Sequence, residues 1–282
     1  MVILGIEASG LVASAAVWED GVLRAEYTIN NKLTHSQTLL PMIEAMLSLS
    51  ETALDCVDAI AVSEGPGSFT GLRIGAATAK GLALAKDIPV IGISSLRALS
   101  ENEADSGMLV VPLMDARRGQ VYCGAWQDGK EIISERAVPI EELIGTLRQA
   151  LPDGSAGEKT APAVLFLGDG VPVHKETILK TADFPCRFAS AGNARQRAAS
   201  VAELGAADYA AWLSENGFSA EEAKALGADR LSGLGKFSGS VMNSDEFVPK
   251  YLRKPQAERE KEAGLLEDPG MRSLRKIARG AC

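Results

Sequence analysis

Apolar and polar positions alternate in short runs at the start of the chain. Residues 2–6, 12–18 and 22–29 are apolar runs separated by turn residues, and runs of this kind predict β-strands. Asp20-Gly21 stands between the last two runs, and an Asp-Gly pair between apolar runs is a strong hairpin signal. The chain is therefore predicted to begin with an antiparallel meander of three strands.

A strand-helix-strand unit comes next. Residues 59–62 predict a buried strand, residues 72–86 a helix and residues 88–93 a second strand, and parallel strands need such a crossover. The helix is rich in glycine and alanine, although each helical glycine costs roughly 1 kcal/mol relative to alanine. We expect this helix to lie close to another backbone, either in its own sheet or in a second helix.

Between these two parts, Thr34 to Gln37 fits a capping box, which predicts the start of a helix. The apolar residues of this helix cover more than one stripe, so we expect that the sheet alone does not hide them all. They are Leu39, Leu40, Met42, Ile43, Met46 and Leu47.

The start of the chain is repeated further along. Residues 108–126 match it without a gap at an offset of 108 residues, so that Glu7 meets Asp115 and Trp18 meets Trp126. Residues 164–170 likewise resemble residues 60–65. Two copies of mixed elements predict two duplicated α/β halves rather than a solenoid.

The rest of the chain is less regular. We expect helices at residues 140–151 and 198–213, loops at 151–161 and 218–245, a short extended segment at 249–253, and a poorly ordered charged end.

Charge and cysteine usage limit the class of protein. The formal net charge of −8 argues against a free-standing nucleic-acid binder, since phosphate affinity comes mostly from clustered Lys and Arg. Residues 249–282 differ from the rest of the chain, with nine basic residues against five acidic ones.

The four cysteines lie far apart and form no C-x-x-C pair, which suits a reducing compartment. No run is long enough to span a membrane, so we expect a cytoplasmic protein.

The turn at residues 64–71 could cradle a phosphate, since it joins a strand to a helix start. It lacks the third glycine of a dinucleotide fingerprint and the Gly-Lys-Ser/Thr of a P-loop. The alternative is a turn that serves close helix packing, and we prefer it.

Glu7 and Asp115 end matching strands of the two halves, where a nucleotide or Mg²⁺ cleft would lie. Ser9 follows Glu7 in the same turn. The alternative is that each carboxylate accepts hydrogen bonds from its own turn. The chain has only two histidines, His35 and His174, and they form no H-x-x-x-H pair, so a His-based metal site is not expected.

Several runs resemble the TsaB (YeaZ) family. They are residues 3–9, 35–41, 64–75, 80–83, 115–117, 251–253 and 256–258, of which Gly65-Pro66-Gly67-Ser68-Phe69-Thr70-Gly71 is highly specific. The resemblance implies a duplicated actin-like (ASKHA) fold of two α/β subdomains, the second reduced. We assign residues 1–103 and 104–248 to these subdomains, and 249–282 to an extended segment with a basic tail.

The resemblance also implies a non-catalytic partner of the related transferase TsaD. The two histidines that bind iron in TsaD fall here on Ser95 and Leu99. TsaB and TsaD pair through the first two helices of each. That implies a partner surface made of His35, Leu39, Met42, Ile43, Met46, Thr70, Arg73, Ile74, Gly75, Ala77, Thr78 and Gly81.

Three hypotheses follow. The first is an interaction protein that, with TsaD and TsaE, completes a complex that makes threonylcarbamoyladenosine in tRNA. It would pair with itself when isolated, reach tRNA only through the complex, and have no cofactor of its own beyond ATP or ADP at the TsaD interface. The second is a free-standing ATP-binding kinase or ATPase that uses Glu7 and Asp115. The third is a peptidase, but no nucleophile–base pair can be identified in the sequence.

Overall fold

The computed structural model describes residues 1–31, 33–151 and 164–253, which form two β-sheets with helices packed on them. The strands are β1 (Val2–Glu7), β2 (Ala13–Glu19), β3 (Val22–Ile29), β4 (Ala59–Gly65), β5 (Val90–Ser94), β6 (Leu109–Arg117), β7 (Gln120–Gln127), β8 (Lys130–Pro139), β9 (Val164–Leu167), β10 (Cys186–Phe188) and β11 (Val241–Met242). The helices are α1 (His35–Leu49), α2 (Phe69–Lys86), α3 (Ser95–Glu101), α4 (Ile140–Ala150), α5 (Val171–Thr181), α6 (Ala198–Asn216), α7 (Ala220–Leu226) and α8 (Ala228–Gly233).

The two sheets repeat one strand order. The first runs β3-β2-β1-β4-β5, with β11 added antiparallel to β5, and the second runs β8-β7-β6-β9-β10. In each, a three-strand antiparallel meander is extended by two parallel strands. The duplication predicted from the repeat is confirmed, since β1 and β6 are the equivalent central strands.

The equivalent hairpins turn in the same way. Asp20 and Gly21 have φ angles of 46° and 86°, and Asp128 and Gly129 have φ angles of 50° and 73°. Two consecutive left-handed residues are the signature of a two-residue hairpin whose twist matches its strands. The Asp-Gly signals therefore position the meander of each sheet.

Each sheet receives one helix from the other half of the chain. Leu96 and Leu99 of α3, which follows β5, pack against Val110 and Leu165 of the second sheet. Conversely, α6, which follows β10, packs on the first sheet, opposite the face that α1 and α2 cover. The first lobe thus contains β1–β5, β11, α1, α2 and α6–α8, and the second lobe contains β6–β10, α3, α4 and α5.

The prediction that the two subdomains divide cleanly between residues 103 and 104 is therefore wrong. Helix α3, which precedes this boundary, packs on the second sheet. Residues 198–248 belong to the first lobe, because the buried side chains of α6 pack against Ile3 and Ala61 and β11 pairs with β5. The loop predicted at 218–245 is also wrong, since it contains α7, α8 and β11. The tail beyond residue 253, and most of the loop expected at 151–161, lie outside the described residues.

None of the helices in the described ranges is both long and apolar enough to cross a membrane.

The contact between α6 and the first sheet is close because small residues meet there. A Cβ added at Gly205 would overlap the Ala61 methyl group, and one at Gly5 would lie 2.5 Å from the Ala198 carbonyl oxygen. Interiors are close-packed, so such a contact has no room for an extra methyl group.

We predict that Gly205→Ala lowers the free energy of unfolding by about 1–3 kcal/mol, the usual range for overpacking. The matched control is Gly145→Ala in α4, where an added Cβ meets nothing within 4 Å. That change should raise stability by up to about 1 kcal/mol through helix propensity. Chemical denaturation measures both, and equal midpoints for the two variants would contradict the packing.

Candidate functional site

A cleft of about 460 Å³ lies between the two lobes. Its first-lobe wall is formed by the β1–β2 turn and the start of α2, and its second-lobe wall by the β6–β7 turn and Asp169. The polar residues that line it include Ser9, Ser68, Thr70, Asp115, Arg117 and Arg253. The cleft lies where the duplicated topology predicts a ligand site, at the strand ends of the two sheets.

Glu7, one of the two candidate carboxylates, is sealed inside the first lobe. Its exposed fraction is 0%, and its Oε1 accepts hydrogen bonds from the Ser9 N–H at 2.5 Å and the Ser9 hydroxyl at 2.6 Å. Burial raises the pKa of Glu7 to about 7, while the hydrogen bonds from Ser9 work against that rise. Glu7 does not line the cleft, so it is poorly placed to meet a ligand there.

Asp115, the other candidate, is exposed at the mouth of the cleft. Its Oδ1 accepts a hydrogen bond of 2.8 Å from the Arg117 N–H. Both carboxylates therefore accept hydrogen bonds from their own turns, as the alternative interpretation expects. Among the residues that the structure describes, no group of three or more His, Cys, Asp and Glu is placed to hold a metal ion.

Asp169 is the acidic residue of the cleft that sequence reasoning did not single out. Its Oδ1 accepts a 3.3 Å hydrogen bond from the Asp115 N–H, and burial raises its pKa. The signal was present, because the repeat aligns Asp169-Gly170 with Glu64-Gly65. In the sequence, this match only aligned the two strand ends and did not assign Asp169 to a site.

The glycine-rich turn before α2 packs against the β1–β2 turn. The Ser68 N–H donates to the Ser9 carbonyl oxygen at 2.7 Å. A Cβ at Gly67 would overlap the same oxygen, and one at Gly71 would overlap the Ala8 carbonyl oxygen. These glycines allow two turns to touch, which supports the packing interpretation over a phosphate cradle.

His35 also contacts the β1–β2 turn. Its Nε2 donates to the Gly10 carbonyl oxygen at 3.0 Å, which ties the first turn of α1 to the β1–β2 turn. His35 is half-buried, so this predicted partner residue is already engaged within the chain.

The sheet does leave one of the predicted apolar residues of α1 exposed, Leu40, but the four that were assigned to the partner surface are buried, and that assignment is wrong. Leu39, Met42, Ile43 and Met46 are at most 4% exposed and pack in the core of the first lobe. Positions i, i+3, i+4 and i+7 form a single helix face, so one stripe against the sheet is enough to hide them. The outward face of α1 instead carries Leu40 and Leu49, which are 53% and 74% exposed.

The assignment of Gly75 to the partner surface is also wrong. Gly75 is buried, and a Cβ there would lie 3.3 Å from the Ala8 Cβ and 3.7 Å from Val62 Cγ2. Gly75 therefore brings α2 onto its own sheet and does not face a partner.

The remaining predicted residues of α2 do reach the surface. They recur at helical spacing along its outward side: Thr70, Arg73, Ala77 and Gly81 are exposed, and Ile74 and Thr78 are half-buried. A Cβ at Gly81 would meet nothing within 4 Å. We call Ala77, Thr78 and Gly81 with their exposed neighbours Leu84 and Ala85 the α2 face.

Arg73 lies at the edge of this face and is held by its own chain. Its guanidinium lies 3.9 Å from the centre of the Phe69 ring, and its Nε donates to the Tyr251 hydroxyl at 3.3 Å. The C-terminal part of the described chain therefore covers the start of α2, which the sequence did not predict.

The strand order, the crossing helices and the interlobe cleft define a duplicated actin-like (ASKHA) protein. The family model described as "TsaD: tRNA N6-adenosine threonylcarbamoyltransferase" matches residues 23–261. Two curated proteins named "tRNA threonylcarbamoyladenosine biosynthesis protein TsaB" are similar to the chain. The Bacillus subtilis (strain 168) protein is 35% identical over 63% of this chain and 75% of its own length. The Escherichia coli (strain K12) protein is 34% identical over 54% of this chain and 74% of its own length.

A solved structure supports the fold. A Pseudomonas aeruginosa protein described as similar to peptidase YeaZ matches with a TM-score of 0.64 and 24% identity, over 89% of this chain and 99% of that one. This chain belongs to the TsaB (YeaZ) family of tRNA threonylcarbamoyladenosine biosynthesis proteins.

We predict that Glu7 makes stability fall as the pH rises. Its pKa is 4.5 ordinarily and about 7 in the fold, so the folded state keeps a proton that the unfolded state releases. The stabilisation is complete below about pH 4.5 and is lost as the pH rises to about 7. Glu7→Gln removes this loss, so the variant should gain about 2–3 kcal/mol relative to the parent between pH 5 and pH 8.

Denaturant titrations of both proteins across this pH range measure the difference. Ser9→Ala removes a hydrogen bond that lowers the Glu7 pKa, so it should extend the loss of stability to higher pH. Parallel pH curves for the parent and Glu7→Gln would show that the carboxyl group is not buried as described.

Proposed function

We propose that this chain is a non-catalytic subunit that binds a TsaD-type transferase through the α2 face and so takes part in transferring a threonylcarbamoyl group to tRNA. The single observation that carries the proposal is the α2 face itself. Its small exposed residues follow helical spacing, and they lie on a helix whose opposite side is fixed to the first sheet.

Small residues suit a helix-to-helix contact because they let two backbones approach closely. Gly81 has open space around its Cα, and Leu84 beyond it is 62% exposed. The neighbouring surface of α1 adds Leu40, which is 53% exposed. A partner that lays a helix along α2 would bury these apolar side chains, which an isolated chain leaves in water.

The burial of Glu7 favours this proposal over an ATP-dependent enzyme that uses Glu7 and Asp115. A general base or a magnesium ligand has to reach the reacting groups, whereas Glu7 is 0% exposed and hydrogen-bonded to Ser9. The enzyme hypothesis would regain support if isothermal titration showed micromolar binding of Mg-ATP to the isolated chain.

The wider assembly is also a proposal. The names of the relatives refer to threonylcarbamoyladenosine biosynthesis, and the matching family model is that of the transferase. We propose that TsaE joins the same complex, that tRNA is reached only through it, and that ATP or ADP binds at the TsaD interface. In the absence of the transferase, we expect the α2 faces of two copies of the chain to pair.

We predict that Gly81→Leu weakens binding to the cognate TsaD transferase at least about tenfold, since a clash of about 1.4 kcal/mol in a packed interface is a factor of ten. The fold should be unaffected, because the new side chain points into open space and leucine is the better helix former. Calorimetric titration against the transferase measures the affinity, and light scattering should show the variant shifting from dimer to monomer.

Gly145→Leu in α4 is the matched control, since it also adds a side chain to a helix where a Cβ meets nothing within 4 Å. It should bind the transferase as the parent does. Unchanged affinity for Gly81→Leu, or equal losses for the two variants, would rule out the α2 face as the binding surface.

A further inference from the structure

The segment that follows β11, residues 245–253, runs along α2 to the mouth of the cleft; we call it the strap. Lys80 of α2 donates through Nζ to the carbonyl oxygens of Asp245 and Phe247, each at 3.3 Å. The Phe247 ring is 1% exposed and forms part of the core of the first lobe. The beginning of the strap is therefore fixed to the first lobe.

Lys250 anchors the strap to the end of β4. Its N–H donates to the Glu64 carbonyl oxygen at 2.6 Å, and its Nζ lies 2.7 Å from Glu64 Oε1. The Glu64 side chain is only 7% exposed, so the strap supplies the cation for an otherwise buried carboxylate. A Cβ at Gly65 would overlap the Lys250 carbonyl oxygen, which shows how closely the two backbones approach.

Tyr251 fixes the strap to the start of α2. Its ring lies 4.9 Å from that of Phe69, centre to centre, and its hydroxyl accepts from Arg73 Nε at 3.3 Å. Aromatic pairs at this separation stabilise beyond their buried area.

Arg253 then reaches the other lobe. Its guanidinium donates to the Ala116 carbonyl oxygen at 2.6 Å, at the end of β6. The next two residues, Arg117 and Arg118, have φ angles of 62° and 57°, a conformation that surrounding contacts must hold in place. Hydrogen bonds to charged donors are among the stronger ones in proteins.

Glu135 on β8 forms another contact between the two lobes, close to the strap. The Ser94 hydroxyl at the end of β5 donates to Glu135. Burial raises the pKa of Glu135 and this hydrogen bond opposes the rise, while the charges of Glu64 and Lys250 have smaller effects in opposite directions. The strap therefore adds to a hydrogen bond that already joins the lobes.

We propose that the strap is a latch that spans the mouth of the cleft and holds the two lobes against each other. Its first-lobe anchor is Lys250 on Glu64, and its second-lobe anchor is Arg253 on Ala116. Only two residues separate the anchors in sequence, so loss of either one loosens the short strap and weakens the other. This inference does not depend on which partner the α2 face binds.

Hydrogen exchange followed by mass spectrometry on the full-length chain without a partner tests the latch. The readouts are peptides covering residues 64–70 in the first lobe and 114–122 in the second. Arg253→Met removes the hydrogen bond to Ala116, and Lys250→Met removes the ion pair with Glu64 while the backbone hydrogen bond at position 250 remains; both variants keep a long side chain. Each should accelerate exchange about tenfold in both peptides, since a hydrogen bond to a charged group contributes roughly 1.5 kcal/mol or more.

Val248→Ala is the matched control, because Val248 lies in the same strap with 65% of its surface exposed; it should leave both peptides unchanged. Faster exchange confined to the peptide beside the substitution, or no change in either, would overturn the latch. If Lys250→Met does not fold, Arg253→Met decides alone through its effect on residues 64–70. An intact latch with no transferase binding would refute the proposed function only.

Discussion

The structure depends on the close approach of α2 to the end of β1. A Cβ at position 71 would overlap the Ala8 carbonyl oxygen, and one at position 75 would lie 3.3 Å from the Ala8 Cβ, so glycine at these positions lets the helix lie close against the strand. This contact fixes the inner side of α2 to the sheet and leaves the outer side, with Ala77 and Gly81, in solvent. The same small residues that make α2 a weak helix on its own therefore bring its inner side close to the sheet and leave small side chains on its outer side.

The duplicated frame has the architecture of an actin-like (ASKHA) fold, with a cleft between its two lobes. The lobes exchange α3 and α6, and the strap adds a further connection across the cleft mouth. Glu7, at the strand end where a reactive carboxylate would serve catalysis, is enclosed with Ser9. The carboxylate of Glu7 thus lies out of reach of the cleft, which is why we prefer the outer surface of α2 as the candidate for function.

Local signals in the sequence predicted much of the fold. The Asp20-Gly21 pair predicted the first hairpin because left-handed turns favour those residues, and the repeat predicted two duplicated α/β halves. The sequence could not predict that α6 crosses to the first sheet, since that contact joins Gly205 to Ala61 across about half of the chain. The strap was missed for the same reason: no local pattern connects Lys250 with Glu64. On α1, by contrast, the pattern was sufficient but misinterpreted, since residues 39, 42, 43 and 46 form one buried stripe.

Site-specific photo-cross-linking tests the central claim most directly. A benzoylphenylalanine placed at Ala77, which is exposed on α2, is compared with one at Glu176 on α5, whose side chain is 89% exposed. In a mixture with the transferase, the account predicts a cross-link to that protein from position 77 and none from position 176. Cross-links from position 176 alone, or from neither position while the two proteins still bind, would contradict it.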